Sequence, residues 1–146
     1  MKDNRLLVLL RKIIAFRKNI FTDITVELEY ELNKTQKGIL MFIAFEGPVT
    51  MNTVSERFAL EKGSFTQIAD TLENFSLIER KRCDQDRRIT YLETTDKGKD
   101  FALKIHHATE VRINSLLSVL SEKEKEHFLS SLEQVSDYID IILKGH

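Results

Sequence analysis

The sequence predicts a mainly α fold in which a helix-turn-helix and a β-hairpin lie between long N- and C-terminal helices. Three observations predict it. Apolar residues recur at spacings of three, four and seven over much of the 146-residue chain. Two short periodic segments are separated by a tight break at residues 59–62. Two segments rich in β-formers, residues 77–81 and 89–94, then flank the polar loop 82–88.

The first helix is read from about Asn4 to Leu32. Leu6, Leu10, Ile13, Ile20 and Ile24 form one stripe, with Arg17 filling the skipped apolar slot. Its other face carries Arg5, Arg11, Lys12, Arg17 and Lys18, with no acid between Asp3 and Asp23. Asn33 with Gln36 is a capping signal for a second helix through Ile39, Leu40 and Ile43, which Glu46-Gly47-Pro48 ends. Thr50 caps a third, with Met51, Val54 and Phe58 on one face. After the break, Phe65, Ile68, Leu72 and Phe75 give the buried face of a fourth. Beyond the hairpin, Thr95 opens a long helix to about Leu120, carrying Phe101, Ile105, Ala108, Leu116 and Val119. Ser121 and Glu124 form a capping box for the last helix. There Phe128, Leu132, Val135, Ile139 and Ile142 follow the 4-3-4-3 spacing of a coiled-coil seam.

Composition narrows the function classes. The chain is 42 % hydrophobic and 31 % charged, with 5 Gly and 1 Pro, which suits a helix-rich globular chain with short loops. No apolar run nears the ~18 residues a membrane helix needs, and no cleavable leader follows the short run 6–10. Cys83 is the single cysteine, so a disulfide framework is excluded and a reducing cytoplasm is expected. No phosphate loop, nucleophile elbow or paired zinc spacing is present, so the sequence predicts neither an enzyme nor a bound cofactor or metal. The net charge of −1 argues against a nucleic-acid binder. That average conceals two basic patches, on the first helix and at the hairpin, whereas residues 121–143 hold six acids and two bases.

With the elements in order, the chain resembles the MarR (multiple antibiotic resistance regulator) family over nearly its whole length. Three stretches carry the resemblance. Leu32-Asn33-Lys34-Thr35-Gln36-Lys37-Gly38-Ile39-Leu40 is similar to the family's entry into its second helix. Thr66, Leu72, Glu73 and Leu77-Ile78-Glu79-Arg80 are similar to its recognition helix and first wing strand. Asp86-Arg87-Arg88 with Leu92, Thr95, Lys97 and Gly98 is similar to its wing signature. Gln67 and Thr71 stand where the family often has arginine, and Ser76 stands where it usually has glycine. The resemblance implies a winged helix-turn-helix at 33–94 and a dimerisation region of long terminal helices at 1–32 and 95–146. It implies a cytoplasmic homodimer that binds double-stranded DNA, with one helix in the major groove and the wing in the minor groove. It further implies a repressor relieved by a small aromatic or phenolic effector.

The residues are then assigned as follows. An arginine at a hairpin tip can enter a narrow minor groove, where negative potential is concentrated. Arg88 is expected there, braced by Asp86, with Arg87 and Arg82 on phosphate. Lys62, Ser64, Thr66 and Gln67 are the expected base readers, since Gln pairs with adenine and hydroxyls take either role. The alternatives are a solvated charged hairpin and an ordinary polar helix face. Leu6, Leu10, Ile13, Phe128, Leu132, Val135, Ile139 and Ile142 are the expected dimer interface. Phe16, Phe21, Tyr30, Phe42 and Phe45 are core by default and candidates for an effector pocket by resemblance. Cys83 reads as an incidental wing thiol, and His106, His107 and Glu110 as a polar helix face rather than a metal site. Residues 50–98 hold eight bases and nine acids, a net of −1. DNA binding is therefore expected to be weak and salt-sensitive. A winged-helix module that binds a protein instead of DNA is the rival reading.

Overall fold

The computed structural model describes residues 4–21 and 30–145, with the backbone alone at Lys62. Two compact units divide between Glu110 and Val111. The first contains α1 (Arg5–Phe21), α2 (Lys34–Glu46), β1 (Val49–Thr50), α3 (Met51–Arg57), α4 (Lys62–Asn74), β2 (Ile78–Arg82), β3 (Thr90–Thr94) and most of α5 (Asp96–Leu117). The second contains the end of α5 and α6 (Glu122–Lys144).

Local chemistry starts and stops these helices. Asn33 is extended, its side chain accepts from the Gln36 amide, and the Gln36 side chain accepts from the Asn33 amide, both at 2.9 Å. The reciprocal pair satisfies amides that α2 cannot bond internally. It also explains one departure from expectation. Residues 30–33 are not helical, because Leu32 enters the core and Asn33 must be extended to cap. Ile24, placed on the first helix's stripe, lies outside the described residues. Gly47, at φ 79, turns the chain out of α2 into β1. Thr50 caps α3 through the Thr53 amide.

Among the described residues, the buried core lies in the first unit. Ile39, Leu40 and Ile43 of α2 meet Val54 of α3, Phe65, Ala69 and Leu72 of α4, and Phe101, Ala102 and Ile105 of α5. Ile78 and Leu92 bring the sheet onto this cluster, while Ile68 and Phe75 are only half-buried against it. The sheet runs β1-β3-β2 and is antiparallel, with Val49 opposite Leu92, Ile78 opposite Thr94 and Arg82 opposite Thr90.

A tight joint ties the exit of α4 to α5. Ser76 adopts φ 57, left-handed backbone that an L side chain resists, which is the conformation a glycine supplies without strain. Its carbonyl accepts from Thr95 Oγ1 at 2.6 Å, and the Thr95 amide donates to Leu77 O at 3.1 Å. The first turn of α5 presses so close that a Cβ at Gly98 would stand 1.8 Å from Leu77 O. The helix α5 stops at Leu117, short of the expected Leu120. The Ser118 amide and hydroxyl both turn back to Ser115 O, which breaks the helical ladder. Val119 is consequently exposed rather than helical.

The helices α1 and α6 differ from the rest in burying no residue. Leu6, Leu10 and Ile13 of α1 are exposed, and so are Leu132, Val135, Ile139 and Ile142 of α6, with Phe128 half-buried. In α1 the apolar exposure extends beyond the predicted stripe to Leu7, Leu9 and Ile14. Ser121 and Glu124 form the predicted capping box of α6, and hydrogen bonds from Ser121 hold the Glu124 carboxyl below its ordinary pKa.

Candidate nucleic-acid interface

Two elements present the predicted DNA-binding residues. The first turns of α4 expose Ser64, Thr66 and Gln67, opposite the buried Phe65 and Ala69. Lys62 begins the helix, and its side chain lies outside the described residues. The hairpin of β2 and β3 exposes Arg82, Asp86, Arg87 and Arg88.

The hairpin tip is shaped by its own main chain. The Cys83 amide donates to Ile89 O at 3.0 Å and the Ile89 amide to Asp86 O at 2.9 Å. Asp86 Oδ1 accepts the Arg88 amide at 3.0 Å, an Asx-type turn. Arg88 Nε stands 3.8 Å from the same oxygen and its side chain is 95 % exposed. Asp86 thus braces Arg88 through the backbone and leaves the guanidinium projecting. Further down the strand the exposed Lys81 is paired with acids of its own sheet, 2.6 Å from Glu93 and 3.0 Å from Glu79. Those bonds, to Glu93 first and then Glu79, raise its pKa above that of an ordinary lysine.

Between the helix-turn-helix and the hairpin lies a cleft of about 370 Å³. Thr66 of α4 and Arg88 and Thr90 of the hairpin line it, together with Thr50, Asn52 and Ser55 of the α3 region. Sequence reading missed Asn52, Ser55 and Thr90 as groove residues. Asn52 and Ser55 are polar positions of α3 beside the buried Val54, and Thr90 begins β3; only the fold brings them to one cleft.

The acids of α4, which weigh against DNA, are engaged too. Arg80 on β2 reaches Asp70 at 2.6 Å and Glu73 at 2.7 Å. The outward surface of α4 is therefore less acidic than its residue count suggests.

A second cleft, of about 600 Å³, lies in the first unit. Its apolar lining includes Phe21, Met41, Phe58, Leu60 and Ile105, and its cations are Arg17, Lys34 and Lys37. Arg17 and Lys34 stand 5.9 and 6.0 Å from the centre of the Phe21 ring. Of the candidate pocket aromatics, Phe21 alone lines this cleft. Phe42 packs edge-on against Phe58, Tyr30 stacks on Phe75 at 4.5 Å, and Phe45 lies beside His106. The Glu110 carboxylate lies 3.5 Å from His106 and 3.9 Å from His107, along one helix face. Among the described residues no group of three ligating side chains could hold a metal, and no helix is long and apolar enough to cross a membrane.

Comparison with known proteins matches the geometry. A family model described as the MarR family matches residues 30–89. The HTH-type transcriptional regulator MhqR of Bacillus subtilis (strain 168) is 31 % identical over 107 residues, 73 % of this chain and 74 % of that protein. Among solved structures, the transcriptional regulator BldR of Sulfolobus solfataricus superposes with a TM-score of 0.71 at 24 % identity, covering 94 % of this chain and 99 % of that one. The PcaV transcriptional regulator of Streptomyces coelicolor, in complex with its natural ligand, gives a TM-score of 0.61 at 22 % identity, covering 88 % and 89 %.

Proposed function

This chain belongs to the MarR family of DNA-binding transcriptional regulators, and from that premise we propose that it is a homodimeric repressor released from its operator by a small aromatic effector. One observation supports the DNA-binding geometry: exposed Arg88 at the hairpin tip, with Arg87 exposed beside it, lines a cleft shared with Thr66 on the exposed face of α4. In this reading α4 enters the major groove, where Ser64, Thr66 and Gln67 meet base edges, with Lys62 at the helix start. Arg88 enters the minor groove, and Arg82 and Arg87 contact phosphate. Asp86 keeps the tip in shape. Engagement of Asp70 and Glu73 by Arg80 weakens the charge case for the protein-interaction alternative.

The homodimer rests on α1 and α6. Each exposes a long apolar surface that a second copy would cover. Leu6, Leu10 and Ile13 join Phe128, Leu132, Val135, Ile139 and Ile142 in that interface. Sedimentation at micromolar concentration will show about twice the 17.0 kDa chain mass. Ile139→Lys will split the dimer or unfold it, because a charge cannot be buried in such a seam without a partner. A clean wild-type monomer would remove the dimer from the proposal.

The effector reading rests on the larger cleft. Aromatic and aliphatic walls fit an aromatic ring, and Arg17, Lys34 and Lys37 fit an acid group on it. Phe58 and Leu60 belong to the turn between α3 and α4, so a ligand touching them pushes on the entry to the reading helix. The experiment is an electrophoretic shift on fragments flanking the gene, with and without aromatic carboxylates. Binding that an aromatic acid releases supports both parts. Binding that no such compound changes would remove the effector, and no binding at low salt would favour a protein partner instead.

A further inference from the structure

The two acids of α4 and the arginine of β2 form a cluster that the reading scheme above leaves without a role. Thr66, Asp70 and Glu73 fall at i, i+4 and i+7, on one stripe of α4. Arg80 lies across that stripe. Its Nη2 donates to Asp70 Oδ1 at 2.6 Å and to the Thr66 carbonyl at 3.5 Å, and its Nη1 donates to Glu73 Oε2 at 2.7 Å. The side chain is 24 % exposed, and its Nε is buried with no acceptor. One guanidinium therefore serves both acids, fork to two carboxylates, and leaves a donor unsatisfied to do so.

We propose that Arg80 and the pair Asp70 and Glu73 neutralise one another at the DNA-reading face: Arg80 masks the acids from phosphate, and the acids in turn withhold its charge from DNA. The proposal rests on the DNA-binding reading above. Arg80 cancels part of the negative field that the two acids would set against phosphate. The acids, for their part, occupy a cation that would otherwise attract any phosphate regardless of sequence. Affinity without sequence information is thereby held down, and neutral pairing by Ser64, Thr66 and Gln67 decides between sites.

The test uses the full-length protein and four variants: Arg80→Gln, Asp70→Asn/Glu73→Gln, the triple combination, and Arg80→Lys. Each is titrated with salt on operator and on random DNA, beside its thermal midpoint. Arg80→Gln exposes two uncompensated acids and will weaken binding to all DNA by roughly tenfold or more at low salt. The triple variant, with acids and arginine neutralised together, will recover most of that loss. Asp70→Asn/Glu73→Gln frees Arg80. It will tighten random DNA more than operator and steepen the salt dependence by about one counterion per subunit. Arg80→Lys keeps the charge without the fork and will fall between wild type and Arg80→Gln. A purely structural brace gives a different pattern: the double variant would bind less tightly, and the triple would not recover. That pattern overturns the proposal even if Arg80→Gln is too unstable to assay. Wild-type protein that binds no DNA at all would sink the DNA-binding reading and this proposal with it. Wild-type binding without recovery in the triple variant would sink this proposal alone.

Discussion

The reading helix α4 and the hairpin wing lie side by side, yet they carry charge in opposite ways. On α4 both acids are drawn to Arg80, and the exposed face is Ser64, Thr66 and Gln67. On the wing Lys81 is engaged by Glu93 and Glu79, but Arg82, Arg87 and Arg88 stay exposed at the tip. The contrast teaches how attraction and discrimination would be separable if both elements bind DNA as proposed. In the proposed reading, charge at the tip draws any DNA, whereas neutral hydrogen bonds on α4 choose among sequences.

The contrast can be broken at its shared base. Gly98 underlies both elements, because it packs on Leu77 between the end of α4 and the start of β2. Gly98→Ala forces a methyl into the Leu77 carbonyl and will cost about 3 kcal/mol or more of stability. Thermal or urea unfolding measures it, and both DNA affinity and specificity fall together. An unchanged midpoint would mean that the joint yields easily.

Gln67→Ala sharpens the contrast instead. It will remove ~1–3 kcal/mol of preference at one or two base pairs while binding to random DNA persists. Competition with single-base operator variants measures it; equal losses on operator and random DNA would put Gln67 on phosphate. Ser76→Gly acts on the joint without touching either reading surface. Relief of the left-handed φ of 57 will raise stability by about 1 kcal/mol and leave the affinity ratio between operator and random DNA where it was. The smallest effect lies outside both regions, at the α6 cap. The Glu124 pKa is lowered by Ser121, so its contribution is fully present above the ordinary glutamate pKa. That contribution is lost as pH falls through the lowered folded value. Ser121→Ala will therefore narrow the stability difference between neutral and acid pH, read from midpoints across an acid titration.

Much of this contrast was legible in the sequence, for reasons of range. The capping boxes at Asn33–Gln36 and Ser121–Glu124 span three residues, and local spacing reveals them. The wing arginines were legible because a charged loop between β-forming segments can only be a hairpin tip. The engagement of Asp70 and Glu73 was not. Arg80 follows them by ten and seven residues, and the fold alone brings β2 against α4. The acids were therefore counted against DNA binding at full charge. The two-residue strand β1 was also invisible, because Val49 and Thr50 become a strand only by pairing with Leu92 and Tyr91 far along the chain. The larger cleft has the same character: Arg17, Lys34 and Ile105 share no local pattern. At residues 30–33 the helical periodicity of the preceding stretch misled, since burial of Leu32 and capping by Asn33 outweigh it.

The division of labour between wing and helix is tested most directly by a salt titration of wild type and Arg88→Ala, each on operator and random DNA. If the tip supplies attraction, Arg88→Ala weakens binding to both DNAs and lowers the slope of log affinity on log salt by about one per subunit. The ratio between operator and random DNA then changes little. If Arg88→Ala binds every fragment as tightly as wild type with the same slope, the wing does not draw DNA and the division is wrong.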